Sequence, residues 1–246
     1  MKGKKNDIFI LLIFIVVVCG LGGFLLRERF VSKDVVGQKP YLWVWCPTQY
    51  NSKKWSSFHG RSNTTYTPDY IKMCIETVRH HCSDSFTVVM LNEDNIVNYI
   101  PKAVHAGMDG TDKCYKYDMT VTTILDKYGG VWLPASTIVF KDLVPLYSHI
   151  VENDLYFGGF SCDSDEYFCL NSDNPDRSVF MAPPRSPVIH EWRNQLFRFQ
   201  KGSQNDYSFN KRGSKSLKAV LRKFPSKVHL FDASMNGTRD CSLKLV

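Results

Sequence analysis

The residues of this chain best suited to chemistry are carboxylates. Asp163, Asp165 and Glu166 form the densest acidic group, Glu93 and Asp94 close an apolar run, and Asp118 stands eleven residues before the pair Gly129-Gly130. Carboxylates can ligate Mg²⁺ or Mn²⁺, act as general bases, or accept hydrogen bonds from sugar hydroxyls. Each also has an ordinary structural use. Asp118 suits a helix N-cap, Glu93 and Asp94 suit a polar exit from a strand, and residues 163–166 suit a solvated loop. His59, His80, His81, His105, His149, His190 and His229 include no pair at the i, i+4 spacing of a helical zinc site. Neither a nucleophile elbow nor a phosphate loop occurs. Lys53, Lys54, Arg61 and the basic stretch from Lys211 to Lys227 are candidate phosphate contacts or, equally, wetted basic surfaces.

The elements that must hold these groups alternate between strand and helix patterns. Tyr41 to Trp45 (YLWVW) reads as the first strand, and the domain begins there. Thr67 and Pro68 look like an N-cap and first helical position, after which Ile71, Cys74, Ile75 and Val78 follow one helical face to an end near His80. Phe86 to Leu91 is a continuous apolar run closed by Asn92-Glu93-Asp94-Asn95, the form of a buried parallel strand with its ligand-facing end. A second helix starts at Asp118, carries Val121, Ile124, Leu125 and Tyr128 on one face, and stops at Gly129-Gly130. Val131 to Phe140 continues as a strand interrupted by Pro134. Leu155–Phe160 and Val179–Met181 read as short strands around the irregular loop 161–177, and helices are expected over 188–199 and around 217–224. No internal repeat is visible.

The segment Tyr117 to Leu143, YDMTVTTILDKYGGVWLPASTIVFKDL, resembles the central motif of capsular polysaccharide synthesis proteins and the related mannosyltransferases with a sugar-binding Asp-any-Asp motif (GT32-like). In that group an Asp opens a helix, the helix ends at Tyr-Gly-Gly, and a strand delivers the acidic motif. The resemblance implies a GT-A-like nucleotide-diphospho-sugar transferase fold, a Rossmann-like mixed sheet flanked by helices. It also implies a nucleotide-sugar donor and a glycan or glycoprotein acceptor. Asp118, Gly129, Gly130, Ser136 and Asp94 fall at the donor-binding positions. The chain departs from the pattern at Pro134-Ala135-Ser136, where carboxylates are expected, and Val121 stands where many relatives carry arginine. A divalent Mn²⁺ or Mg²⁺ is therefore an open matter, with no metal ligand assigned. An active transferase and an inactive glycan-binding or structural relative both remain in view.

The flanking regions bound the setting. Ile8 to Leu26 is uncharged, would span about 28 Å as a helix, and suits a bilayer better than a cleaved signal peptide. Residues 1–7 read as a cytoplasmic stub, 8–26 as an anchor, 27–40 as a stalk and 41–246 as the GT-A-like domain. A type II arrangement is preferred, with the domain in the secretory lumen or outside the cytoplasm, although the flanking cations are nearly balanced. Sequons at Asn63 and Asn236 would be usable there. The net charge is +7, but five cations against two anions sit beside the apolar run, leaving about +4 elsewhere. That mild excess suits phosphate ligands and does not call for nucleic acid. A basic membrane-surface or nucleic-acid adaptor rests on the 211–227 stretch alone. Eight cysteines include Cys19 in the apolar run, and none of the others has zinc-knuckle spacing. Cys162 and Cys169 can pair in an oxidising lumen, or serve as apolar fillers.

Overall fold

A computed structural model describes residues 38–47, 69–111, 113–161, 175–200, 214–232 and 235. The chain divides into units Met1–Lys39 and Pro40–Val246, and the described elements all belong to the second. The expected anchor at 8–26, the stalk, the Thr67-Pro68 cap, the 163–166 acidic group, Cys162, Cys169 and the segment 236–246 lie outside the described residues. Among those described, no helix is long and apolar enough to cross a membrane.

Six strands form one sheet in the order β2-β1-β3-β5-β4-β6. Strand β1 (Tyr41–Trp45) pairs in parallel with β2 (Thr87–Leu91) on one side and β3 (Gly130–Pro134) on the other. Its registers run from Tyr41↔Thr87 to Trp45↔Leu91 and from Leu42↔Val131 to Trp45↔Pro134. Strand β5 (Pro175–Ala182) runs antiparallel to both β3 and β4 (Phe157–Ser161), and β6 (Val228–Phe231) is parallel to β4 at the edge.

Side-chain alternation divides the core between the sheet's two faces. Trp43, Trp132, Phe157 and Phe180 face α3 (Lys113–Tyr128), α5 (Pro187–Gln200) and α6 (Ser214–Leu221). Leu42, Val44, Val131, Leu133 and Met181 face α1 (Asp69–Cys82) and α4 (Val144–Glu152). Helix α1 buries Ile71, Cys74, Val78 and Cys82 as one stripe, with Asp69 in its first turn and Arg79, His80 and His81 in its last, complementing its dipole.

Helix α3 departs from the one-faced expectation and starts earlier. Its described residues from Asp118 to Leu125 are all buried, because α3 lies between the sheet and α5. It begins at Lys113, so Asp118 is an internal helical residue and its N-cap role does not hold. The expected strand 131–140 stops at Pro134: Thr137 N–H donates to Pro134 O at 3.1 Å, closing a turn where proline offers no N–H to extend the ladder. A 3₁₀ turn (Ile96–Asn98), α2 (Lys102–Gly107), α4 and β6 are additions that the sequence reading did not anticipate.

Candidate functional site

The chain leaves β1, passes through α1 to β2 on one side of it, and returns through α3 to β3 on the other. Neighbouring parallel strands whose connections diverge in this way leave a crevice beyond their carboxyl ends, where open α/β sheets bind ligands. Here that edge consists of Trp45-Cys46-Pro47, Pro134-Ala135-Ser136 and the turn after Leu91. Its backbone is continuous: Cys46 N–H donates to Leu91 O at 2.7 Å and Ala135 N–H to Trp45 O at 2.9 Å.

Half-buried Trp45 stands at the end of β1, its ring stacked on the wholly buried Trp132 with centroids 6.1 Å apart and planes inclined by 22°. Tyr117, from the amino-terminal part of α3, meets both rings edge-on at 6.4 and 5.8 Å. Its hydroxyl accepts a 2.8 Å hydrogen bond from Trp132 Nε1. Trp45 and Trp132 are two residues apart in neither strand alone; they meet because Trp45 pairs with Pro134 and Trp132 precedes it on the same face. The sequence reading missed this group. Its available signal was an aromatic at the last position of the first parallel strand.

The expected donor residues divide among three locations. Ser136 is exposed on the turn that follows β3, at the crevice. Asp94 is exposed on the turn after β2, at the same edge but with β1 between it and Ser136. The Asp94 turn is built by its neighbours: Asn92 Oδ1 accepts from the N–H groups of Asp94 and Asn95 at 3.0 and 2.9 Å, while Asn95 Nδ2 donates to Met90 O at 2.8 Å. Asp118 is fully buried beside Tyr117, and its carbonyl accepts the Thr122 hydroxyl at 2.8 Å. It is an interior residue of α3, unlike the exposed Ser136 and Asp94.

Gly129 and Gly130 stand apart from that edge. They open β3 at its amino end, about 13 Å along the strand from Pro134. Their work is steric. With φ of +62° and +102°, both hold backbone angles that disfavour a side chain. A Cβ on Gly129 would lie 2.5 Å from Pro184 N, and one on Gly130 would lie 2.2 Å from Tyr41 O. Trp43 Nε1 donates to Gly129 O at 2.9 Å, pinning the helix end to β1.

The groups at the turn after β3 do not fit a divalent cation. Pro134 offers no side-chain oxygen, Ala135 is buried among the apolar residues facing α1, and Ser136 offers one neutral hydroxyl. Asp94 stands on the turn after β2, with β1 between that strand and β3. Among the described residues no three His, Cys, Asp or Glu side chains gather. At the same edge, burial raises the Cys46 thiol to about 11, against the lowering pull of Arg79, so it remains a neutral thiol. Of the basic stretch, Lys223 pairs with Glu191 at 2.5 Å and Lys227 pairs with Asp154. Both of these lysines are thus engaged in ion pairs with structural partners.

Sheet order defines an α/β protein whose candidate site lies beyond the carboxyl ends of β1 and β3. Residues 55–210 match the family described as capsular polysaccharide synthesis protein, and the chain belongs to that family. No curated protein matches it. Among solved structures it is similar to the PaToxG glycosyltransferase, at 11% identity over 86% of this chain and 80% of the other, with a TM-score of 0.43. It is also similar to mouse xyloside xylosyltransferase 1 in its apo form, at 7% identity over 79% and 85%, with a TM-score of 0.47. A further likeness is to the apo glycosyltransferase GlyE of Streptococcus pneumoniae TIGR4, at 12% identity over 79% of this chain and 45% of that one, with a TM-score of 0.43.

Proposed function

We propose that this chain is a glycosyltransferase of GT-A-like fold that moves a hexose from a nucleotide sugar to a hydroxyl of a glycan, glycoprotein or polysaccharide. The observation that carries this reading is the topological switch at β1, with a half-buried tryptophan at its carboxyl end. A flat aromatic at that place offers a stacking surface to a nucleobase, which presents a π-face whatever its identity. The diphosphate then lies toward Ser136, whose hydroxyl and neighbouring backbone supply hydrogen bonds. The sugar lies toward the amino-terminal part of α3, where buried Asp118 follows Tyr117, and Asp94 marks the far rim. In the transfer itself, the acceptor oxygen forms a bond to the anomeric carbon. The bond from that carbon to the diphosphate oxygen breaks, its electron pair leaves with the nucleoside diphosphate, and the acceptor proton passes to a base.

Residues 8–26 suit a membrane anchor in this reading, with the transferase domain in the secretory lumen or outside the cytoplasm. A nucleotide-sugar panel mixed with the full chain in detergent tests the activity, with free nucleoside diphosphate as the readout, in Mn²⁺ and in chelator. Release from at least one donor supports transfer. No release and no thermal shift with any donor removes the reading. A second reading has one observation in its favour, the carboxylate-free turn Pro134-Ala135-Ser136. It makes the chain a non-catalytic relative that binds donor or glycan without turnover, and it predicts a thermal shift with no product.

A further inference from the structure

Trp132 has its indole N–H inside the protein, where a donor without a partner is costly. That N–H is held by the Tyr117 hydroxyl at 2.8 Å, and the same indole is the surface on which Trp45 stacks. Tyr117 also packs edge-on against Trp45 itself. Three residues from β1, α3 and β3 therefore fix one another, and Trp45 alone among them ends a strand at the crevice.

We infer that Tyr117 is a positioning residue for donor recognition: through the Trp132 indole it sets the plane of Trp45 against which the nucleobase stacks. The inference rests on the donor-site reading above and assigns Tyr117 no contact with the reacting atoms. The hydrogen bond is the part that matters, because it fixes the rotation of the Trp132 ring. Stacking depends on ring plane and offset as well as on buried area. Tyr117→Phe keeps the phenyl ring and its edge-on contacts while releasing the indole N–H. Trp132→Phe removes the same bond from the other side. Loss of one hydrogen bond from a stacking support corresponds to about a fivefold weaker nucleotide.

Calorimetric titration of the full chain in detergent with uridine diphosphate and guanosine diphosphate, well below the melting temperature, tests this. Quenching of tryptophan fluorescence provides a second readout. Trp45→Ala is expected to weaken the preferred nucleotide most and to abolish the quench. Tyr117→Phe is expected to weaken it about fivefold, Trp132→Phe at least as much because it also removes the indole face under Trp45, and the double variant no further than Trp132→Phe alone, because that variant has already removed the bond through which Tyr117 acts. A merely structural role would lower the melting temperature and leave Kd unchanged. If Trp45→Ala weakens binding while Tyr117→Phe binds like the wild type, the positioning role is overturned and the donor site stands. Single effects that multiply in the double variant overturn it as well. If Trp45→Ala binds like the wild type, or if the wild type binds neither nucleotide, the donor-site reading fails and takes this inference with it.

Discussion

Replacing Gly130 by alanine tests how the fold delivers β3 to the site. Gly130 has φ of +102°, and an added Cβ would stand 2.2 Å from Tyr41 O and 3.0 Å from Tyr41 C. These are backbone atoms of the paired strand, so no side-chain rotation relieves the overlap. Holding a side chain at such a backbone angle costs about 1–3 kcal/mol, and prying β1 from β3 costs about another 1–3 kcal/mol. The expected loss is about 4 kcal/mol, a large share of the ~5–15 kcal/mol that usually holds a domain together. For a domain of this size that corresponds to a fall in Tm of about 8–16 °C. Gly110 is the internal control. Its φ is +73°, but a Cβ there meets nothing within 4 Å, so Gly110→Ala should cost only about 1–2 kcal/mol. Thermal unfolding of both variants in the same detergent measures the difference. If Gly130→Ala melts within 2–3 °C of the wild type (a shift of about 1 kcal/mol at most), or no lower than Gly110→Ala, the close approach of β1 and β3 at this point is wrong.

Acid should weaken the fold through the edge strand. Burial, with a smaller contribution from neighbouring His149, lowers the His229 pKa from its ordinary 6.5. A depressed imidazole favours the unfolded state once protons bind, so stability is full above pH ~6.5 and is lost as pH falls through the folded pKa. The urea midpoint should drop between pH 7.5 and 5, and drop less in His229→Phe, which also retains a ring against Phe231. Cys46, raised from 9.0 to about 11, should react with iodoacetamide at pH 8 about a hundredfold more slowly than an unperturbed thiol, since only thiolate attacks; peptide mapping by mass spectrometry measures this. Arg193 Nη1 lies 2.7 Å from Asp126 Oδ2, with side chains 21% and 13% exposed. Arg193→Met should cost about 2 kcal/mol by leaving that carboxylate short of its partner, read as a lower urea midpoint with an unchanged slope.

Much of the architecture follows from local patterning. Leu42 and Val44 alternate with Trp43, Ile71 to Val78 keep a helical period, and the diglycine ends a helix; each depends on residues close in sequence, where backbone angles and one-sided burial suffice. The family likeness around Tyr128–Leu133 is legible in the same way. What needed the tertiary structure involves partners far apart. Helix α3 reaches back to Lys113, and its residues 118–125 are buried all round because α5 covers their outer side, so Thr120, Thr122 and Thr123 are interior despite their polarity. β5 runs against β3, and β6 exists as a strand because β4 offers it an unpaired edge. For the site, the sequence placed Asp94 at the end of a strand, where it lies, and Ser136 within a strand running to Phe140, which instead stops at Pro134 and leaves Ser136 on the turn that follows. It also grouped them with Gly129 and Gly130, which strand geometry puts at the opposite end of β3. The Trp45, Trp132 and Tyr117 contact was invisible, since it arises from parallel register and helix packing, and neither interaction leaves a periodic trace within one segment.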